Sequence, residues 1–148
     1  MSAPSTSMSR QQLIDAAKAP ILAFNRKDWD GVRAGMSASG FVYDEVGTDR
    51  KAEGAEQAVP MWQSWAAAFP DANATFDNAV ASDDTVVLEV TWRGTHKGAL
   101  QTPNGPIPPT ENRFEIRACL VVEMAGDKVH RERHYFDLVT LLQQLGVR

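Results

Sequence analysis

The hydrophobic pattern changes its period along the chain, and this change is the strongest constraint on the fold. In the first half, apolar residues recur at intervals of three and four, as in Leu13, Ala17 and Ile21, which predicts amphipathic helices. From residue 73 onward apolar and polar residues alternate, as around Val86 and Leu88, which predicts strands. Short turns separate these strands, so crossover helices do not fit between them. The pattern therefore predicts an antiparallel sheet that follows a helical segment.

The same periodicity gives approximate bounds for the elements. Helices are predicted at residues 10–24, 54–69 and 138–146, with a helical turn at 28–33. Strands are predicted at residues 41–46, 73–82, 85–96, 114–124 and 128–137. Pro20 is expected to kink or interrupt the first helix. The fold class is therefore α+β, with a bent antiparallel sheet wrapped around the N-terminal helices and a short C-terminal helix.

Length and composition limit the class of protein. The 148 residues predict a flexible leader at 1–8 and a single domain at 9–148. A net charge of −4 carries no electrostatic footprint for nucleic acid or an anionic membrane. Cys119, the one cysteine, cannot form an intramolecular disulfide or a thiolate-rich zinc site. With neither a secretory signal nor a run of about 20 apolar residues, a cytoplasmic protein is expected.

Five short motifs occur in a recognisable order. They are Ala-Ala-Phe-Pro-Asp at 67–71, Arg-Gly-Thr-His-Lys-Gly at 93–98, Gly-Asp-Lys-Val at 126–129, Phe-Asp at 136–137 and Leu-Leu-Gln-Gln-Leu-Gly at 141–146. With this order and spacing, the chain resembles the SnoaL-like polyketide and ester cyclases of the nuclear-transport-factor-two-like superfamily. The resemblance covers roughly residues 28–147.

The resemblance implies a cone-shaped α+β barrel with an internal pocket, often dimeric or of higher order. It also implies ring closure by intramolecular aldol condensation, with neither a metal nor a cofactor. The family's acid–base residue is an Asp near the end of the last long strand, and the matching position is Asp137. Members commonly carry Trp four residues earlier, where this chain has Arg133.

Asp137 suits proton transfer only if it faces an apolar pocket, where the pKa of a carboxyl group rises. Uninterrupted alternation along the last strand places Arg133 and Tyr135 on the same face as Asp137. Tyr135 can then donate a hydrogen bond to a developing oxyanion. Arg133 can also donate, or it can pair with Asp137 and lower its pKa. Alternatively, Asp137 is the N-cap of the C-terminal helix.

Other residues are candidates for binding or orienting a substrate. His96 can orient a carbonyl group, or it is a polar residue at the end of a strand. Tyr43, Asp44 or Glu45 can supply a second polar group, although a solvated strand end is the simpler interpretation. Four residues are expected to supply the apolar wall, namely Trp62, Trp65, Trp92 and Met124. Trp62 and Trp65 also suit a plain hydrophobic core.

Two histidines and a glutamate alternate along the last strand, and such residue types can bind a metal ion. These are His130, Glu132 and His134. Their parity is opposite to that of Asp137, so alternation places them on the outer face. A solvated outer face is therefore expected there, and no metal site.

These observations together favour a cofactor-independent enzyme of the polyketide or ester cyclase type that acts on a hydrophobic small molecule. A double-bond isomerase or an epoxide hydrolase on the same fold is a related possibility. A non-catalytic binding protein or a dimeric accessory protein is the alternative from another class. Because Val87, Cys119 and Val121 lie on the outer face of the sheet, a homodimer or higher homo-oligomer is expected.

Overall fold

The computed structural model describes residues 8–147 as helices packed against a curled sheet. The helices are α1 (Arg10–Asn25), α2 (Trp29–Ala34), α3 (Ala55–Ala68) and α4 (Leu138–Gln144). The strands are β1 (Val42–Glu45), β2 (Arg50–Glu53), β3 (Asn73–Ser82), β4 (Thr85–Thr95), β5 (Arg113–Ala125) and β6 (Lys128–Phe136). A 3-10 turn, Val46–Thr48, joins β1 to β2. Residues 1–7 of the predicted leader lie outside the described residues, and Met8 packs against the core.

The six strands form one sheet in the order β2-β1-β6-β5-β4-β3. Neighbouring strands are antiparallel, except that β1 and β6 run parallel. The predicted α+β class is confirmed, and the parallel pair makes the sheet mixed. Strand β2 is absent from the predicted elements because its four residues, Arg-Lys-Ala-Glu, show almost no apolar alternation. Antiparallel pairing with β1 holds this short, polar strand in the sheet.

Helix α1 begins at a capping box and continues through Pro20. The Ser9 hydroxyl accepts a hydrogen bond from the Gln12 backbone N–H, and the Gln12 side chain accepts one from the Ser9 N–H. The expected break at Pro20 does not occur, because α1 extends to Asn25. The proline ring packs against Gly35, where an added Cβ would lie only 2.5 Å from Pro20 Cγ. Pro20 thus fits the contact between α1 and the end of α2.

The hydrophobic core lies between the helices and the concave face of the sheet. Helix α1 contacts β3, β4, β5 and β6, while α3 contacts β1 and β2. On β5, the even-numbered residues from Phe114 to Met124 all point inward and are buried. None of the helices in the described residues is long and apolar enough to cross a membrane.

A β-bulge in β6 determines which of its side chains face the core. Met124 pairs with Val129 and Glu123 pairs with Arg131, so His130 is an extra residue without a partner on β5. An extra residue reverses the alternation of side chains beyond it.

Beyond the bulge, Glu132 and His134 face the interior, and Arg133 and Tyr135 face outward. The prediction that Arg133, Tyr135 and Asp137 face the pocket is therefore wrong. The prediction that Glu132 and His134 lie on the outer face is wrong for the same reason. Both assumed uninterrupted alternation along the strand.

Candidate active site

An apolar cavity lies between the helices and the inner face of the sheet. The cavity volume is about 70 Å³. Its lining consists of Ile21, Phe24, Tyr43, Trp62, Trp65, Phe69, Ala72, Trp92, Phe114, Ile116, Leu120, Glu132, His134, Phe136 and Leu141. Aromatic and aliphatic carbon dominates this wall, and few polar groups interrupt it. Such a site suits an apolar small molecule with a few polar atoms.

Glu132 is the unusual group in the lining. It is only 1% exposed, and neither carboxylate oxygen has a hydrogen-bond partner among residues 8–147. Burial without a compensating partner disfavours the charged form and raises the pKa of Glu132 to about 8. At pH 7 about one molecule in ten then carries Glu132 as a carboxylate. Glu132 can therefore both accept and return a proton near neutral pH.

His134 has both ring nitrogens engaged, and its partners determine where its proton lies. The Trp92 indole N–H donates to His134 Nε2 over 3.2 Å, and an indole nitrogen can only donate. Nε2 must then be the bare nitrogen, so Nδ1 carries the proton and donates to the Tyr43 hydroxyl oxygen over 2.9 Å. Burial lowers the pKa of His134 to about 4. His134 is therefore a neutral imidazole in one fixed tautomer.

Glu45 ends this hydrogen-bonded chain and differs from Glu132. Its Oε2 accepts from the Tyr43 hydroxyl and from the Trp65 indole N–H, each over 2.8 Å. Its Oε1 accepts from the Thr48 hydroxyl over 2.5 Å and from the Arg50 guanidinium over 2.8 Å. Burial acts to raise the pKa of Glu45, but these hydrogen bonds and the Arg50 charge lower it overall. Glu45 is thus a stable carboxylate, whereas Glu132 is poised to change its charge.

Tyr43 is a neighbour of both Glu45 and Glu132 in the sheet. It is buried, and it is the register partner of Glu132 between the parallel strands β1 and β6. Burial and the nearby charge of Glu45 raise the pKa of Tyr43 well above its usual value. The Tyr43 phenol therefore stays protonated, with its hydrogen committed to Glu45.

The structure places Asp137 outside the cavity. Its side chain is exposed and accepts hydrogen bonds from the backbone N–H groups of Val139 and Thr140, and from the Thr140 hydroxyl. These hydrogen bonds lower the pKa of Asp137, the reverse of what a general base near neutral pH needs. Asp137 is the N-cap of α4, as the alternative interpretation had it.

Three other predicted polar residues also lie away from the cavity. Tyr135 is 41% exposed on the outer face, and Arg133 forms an ion pair with Glu123 there. His96 is buried but does not line the cavity, and its Nδ1 accepts from the Thr110 backbone N–H over 3.2 Å. Burial lowers the pKa of His96, so its ring is neutral. The hydrogen bond to Thr110 connects two loop segments.

The predicted apolar wall is largely assembled. Trp62, Trp65 and Trp92 line the cavity, whereas Met124 is buried in the core away from it. Tyr43, predicted as a polar group, lines the cavity as well. Glu45 is named from the sequence only as part of the polar segment 43–45, and uninterrupted alternation places Glu132 and His134 on the wrong face. One signal was present, because Val129 and Phe136 are both apolar but have opposite parity. Both can face the core only if the strand contains an extra residue.

The three alternating residues of β6 do not come together as metal ligands. His130 lies on the outside, where its Nδ1 is 3.1 Å from the Ser37 hydroxyl, while Glu132 and His134 face the cavity. Across residues 8–147 no group of three or more His, Cys, Asp or Glu side chains is arranged to hold a metal ion.

The capping role of Asp137 makes a direct prediction. Asn caps a helix about as well as Asp, so Asp137→Asn is expected to change the free energy of unfolding by less than about 0.5 kcal/mol. Asp137→Ala removes the acceptor and is expected to lower it by about 1 kcal/mol. Urea denaturation of the two variants and the wild type measures this. Equal losses in both variants would contradict capping as the main role of the side chain.

Comparison with known protein families and structures agrees with the fold. The family model described as SnoaL-like polyketide cyclase matches residues 14–145. Among curated proteins the chain has no significant match.

Several solved structures share the architecture. IdmH from Streptomyces antibioticus, a candidate polyketide cyclase, is 27% identical, with a TM-score of 0.77 over 92% of this chain and 99% of that one. A candidate SnoaL-like polyketide cyclase from Jannaschia sp. CCS1 is 18% identical, with a TM-score of 0.81 over 100% and 99% of the two chains. An epoxide hydrolase from M. tuberculosis, described as LEH-like, is 20% identical, with a TM-score of 0.70 over 92% and 90%. Relatives named for different reactions thus share this fold, so the reaction must be argued from the site.

Proposed function

The chain belongs to the SnoaL-like polyketide cyclase family, and from this premise we propose that it is an enzyme that moves protons on an apolar carbonyl compound without a cofactor. Glu132 is the general acid–base residue, in place of the Asp137 that the sequence resemblance implied. The reaction that this site suits best is an intramolecular aldol-type cyclisation, as in polyketide ring closure.

The observation that carries this proposal is the buried, unpartnered carboxyl group of Glu132. A carboxyl group without hydrogen bonds in an apolar wall is destabilising, so it is a poor structural element. The same burial brings its pKa to about 8, close to the pH at which a general base works best. A perturbed carboxyl group inside a cavity is a strong indicator of a functional site.

The proton balance needs only this one group. Glu132 as a carboxylate removes a proton from the carbon next to a substrate carbonyl, which breaks a C–H bond and forms an enolate. The enolate carbon attacks a second carbonyl of the same molecule and forms the new C–C bond. The resulting alkoxide takes the proton back from the Glu132 carboxylic acid. The residue ends in its starting state, and no electrons leave the substrate.

The hydrogen-bonded chain of Trp92, His134, Tyr43 and Glu45 has a different role. Each polar group of this network already has a hydrogen-bond partner within the network, so none of them is free to exchange a proton with a substrate. This hydrogen-bonded network anchors β1 to β6 beside Glu132. It also keeps the charged carboxylate of Glu45 away from the cavity centre. We therefore assign it a positioning role.

Proton exchange at an activated carbon tests this proposal without knowledge of the natural substrate. The probe is 2-tetralone, a two-ring ketone, in deuterated buffer, with loss of its α-proton signal followed by NMR. We expect exchange above the buffer rate, with kcat/KM rising as pH increases towards about 8, because the carboxylate is the active form. Binding of 2-tetralone without accelerated exchange would instead support a non-catalytic binding protein.

We also propose that the chain forms a homodimer through the outer face of the sheet. Val80, Val87 and Val121 are paired across β3, β4 and β5 and form a continuous apolar row, and Val80 is 53% exposed. Burial of this row against a second copy removes it from water. Light scattering at micromolar concentration is expected to give twice the mass of one chain, and Val80→Lys is expected to shift the mass towards a monomer. A monomeric wild type would refute the proposal.

A further inference from the structure

A second residue of the cavity lining has a polar group without a partner. Trp62 is 7% exposed, and its indole Nε1–H has no hydrogen-bond acceptor among residues 8–147. The other two tryptophans of the lining do have acceptors, namely Glu45 for Trp65 and His134 for Trp92. A buried donor without an acceptor is destabilising, so its retention needs an explanation.

Trp62 and Glu132 both adjoin Tyr43. The Trp62 and Tyr43 rings meet edge to face with their centroids 5.5 Å apart, and Tyr43 is the register partner of Glu132. Trp62 and Glu132 nevertheless do not bond to each other, since neither has a partner in the described part of the chain. The cavity thus offers one neutral donor and one acid–base group, with hydrophobic carbon around them.

We propose that the Trp62 Nε1–H docks a carbonyl oxygen of the substrate while the adjacent α-carbon lies against Glu132. This inference rests on the proposed function and defines its substrate class as apolar, ring-containing ketones. When Glu132 removes the α-proton, negative charge develops on the carbonyl oxygen, and a hydrogen bond to that oxygen becomes stronger. Trp62 is then both a binding residue and a stabiliser of the enolate. Its neutral donor suits a ketone, and within residues 8–147 the cavity lining contains no Lys or Arg for a carboxylate ligand.

Two ligands that differ by one carbonyl group isolate this contact. These are 2-tetralone and tetralin, whose dissociation constants are measured by protein NMR titration of the full chain. In Trp62→Phe an aromatic ring remains, but the N–H and the second ring of the indole are lost. We expect the ratio of the two constants to shift about ten-fold against the ketone, as the loss of one hydrogen bond implies.

Trp65→Phe is the matched control, because its N–H is already bonded to Glu45. We expect this variant to bind both ligands less well but to keep the wild-type ratio. An unchanged ratio in Trp62→Phe would overturn the docking proposal. If Trp62→Phe does not fold, the benzothiophene isostere of tryptophan at position 62 removes the N–H with almost no change in shape.

The deuterium exchange of 2-tetralone keeps the two proposals separate. A shifted ratio in Trp62→Phe, with no exchange catalysed by the wild type, would leave the docking contact standing and refute the acid–base function. Exchange that depends on Glu132, with an unchanged ratio in Trp62→Phe, would refute the docking contact alone. Exchange together with a shifted ratio supports both.

Discussion

Replacing Glu132 with glutamine is expected to lower kcat/KM for α-proton exchange by about 10²–10⁴-fold while the chain remains folded. Glutamine cannot ionise, so it can neither take the proton nor return it. It is close in shape to the protonated carboxyl group that dominates at pH 7, since the pKa of Glu132 is about 8. The lost activity therefore reports on chemistry and not on packing. NMR exchange rates measured from pH 6 to pH 9 give the comparison.

Two further variants sharpen this result. Glu132→Asp keeps the carboxyl group but withdraws it by one methylene, so we expect it to retain part of the activity and the rise with pH. Asp137→Asn is the matched control for the position that the sequence resemblance implied, and it is expected to keep wild-type exchange. If Asp137→Asn lost exchange and Glu132→Gln kept it, the assignment made from the structure would be wrong.

The fold could be predicted because it depends on patterns that are local in sequence. The change of period near residue 70 separates helices from strands, and the motifs that end in Leu-Leu-Gln-Gln-Leu-Gly identify the family. The apolar wall follows from the same patterns, because residues such as Trp62 and Trp65 lie on the buried side of a helix. Strand β2 escapes prediction because pairing with β1, and not its own composition, makes it a strand.

The polar part of the site could not be predicted in this way. A single extra residue, His130, reverses the alternation of side chains along the rest of β6, so these side chains lie on the opposite faces to those predicted. The family resemblance selects Asp137, and alternation without this bulge adds Tyr135 and Arg133, but these side chains lie outside. The charge states also depend on tertiary structure, since Glu45 meets Trp65 only after β1 and α3 come together.

A measurable dependence of stability on pH follows from Glu132. Its pKa is raised from 4.5 in the unfolded chain to about 8 in the folded one, so the native state binds the proton more tightly. Protonation of Glu132 makes its full contribution to the free energy of unfolding below pH 4.5. This contribution falls by about 1.4 kcal/mol per pH unit as pH rises towards 8. Glu132→Gln removes this dependence. The difference between the unfolding free energies of Glu132→Gln and the wild type is expected to rise by about 4 kcal/mol in favour of the variant from pH 4.5 to pH 8.

His134 acts in the opposite direction. Its pKa falls from 6.5 to about 4 on folding, so its contribution is full above pH 6.5 and is lost as pH falls towards 4. Between pH 4.5 and 6.5 Glu132 and His134 together hold one proton in the folded state and one in the unfolded state. Their contributions to the pH dependence of stability therefore cancel in this range. The wild type is thus expected to be most stable near pH 6 and to lose about 1 kcal/mol between pH 6.5 and pH 8. Urea denaturation at pH 4.5, 6.5 and 8 measures this, with the exposed Glu53→Gln as the control that keeps the wild-type profile. A wild-type stability that stays flat above pH 6.5 would mean that Glu132 is already ionised in the folded chain, and the proposed acid–base role would lose its physical basis.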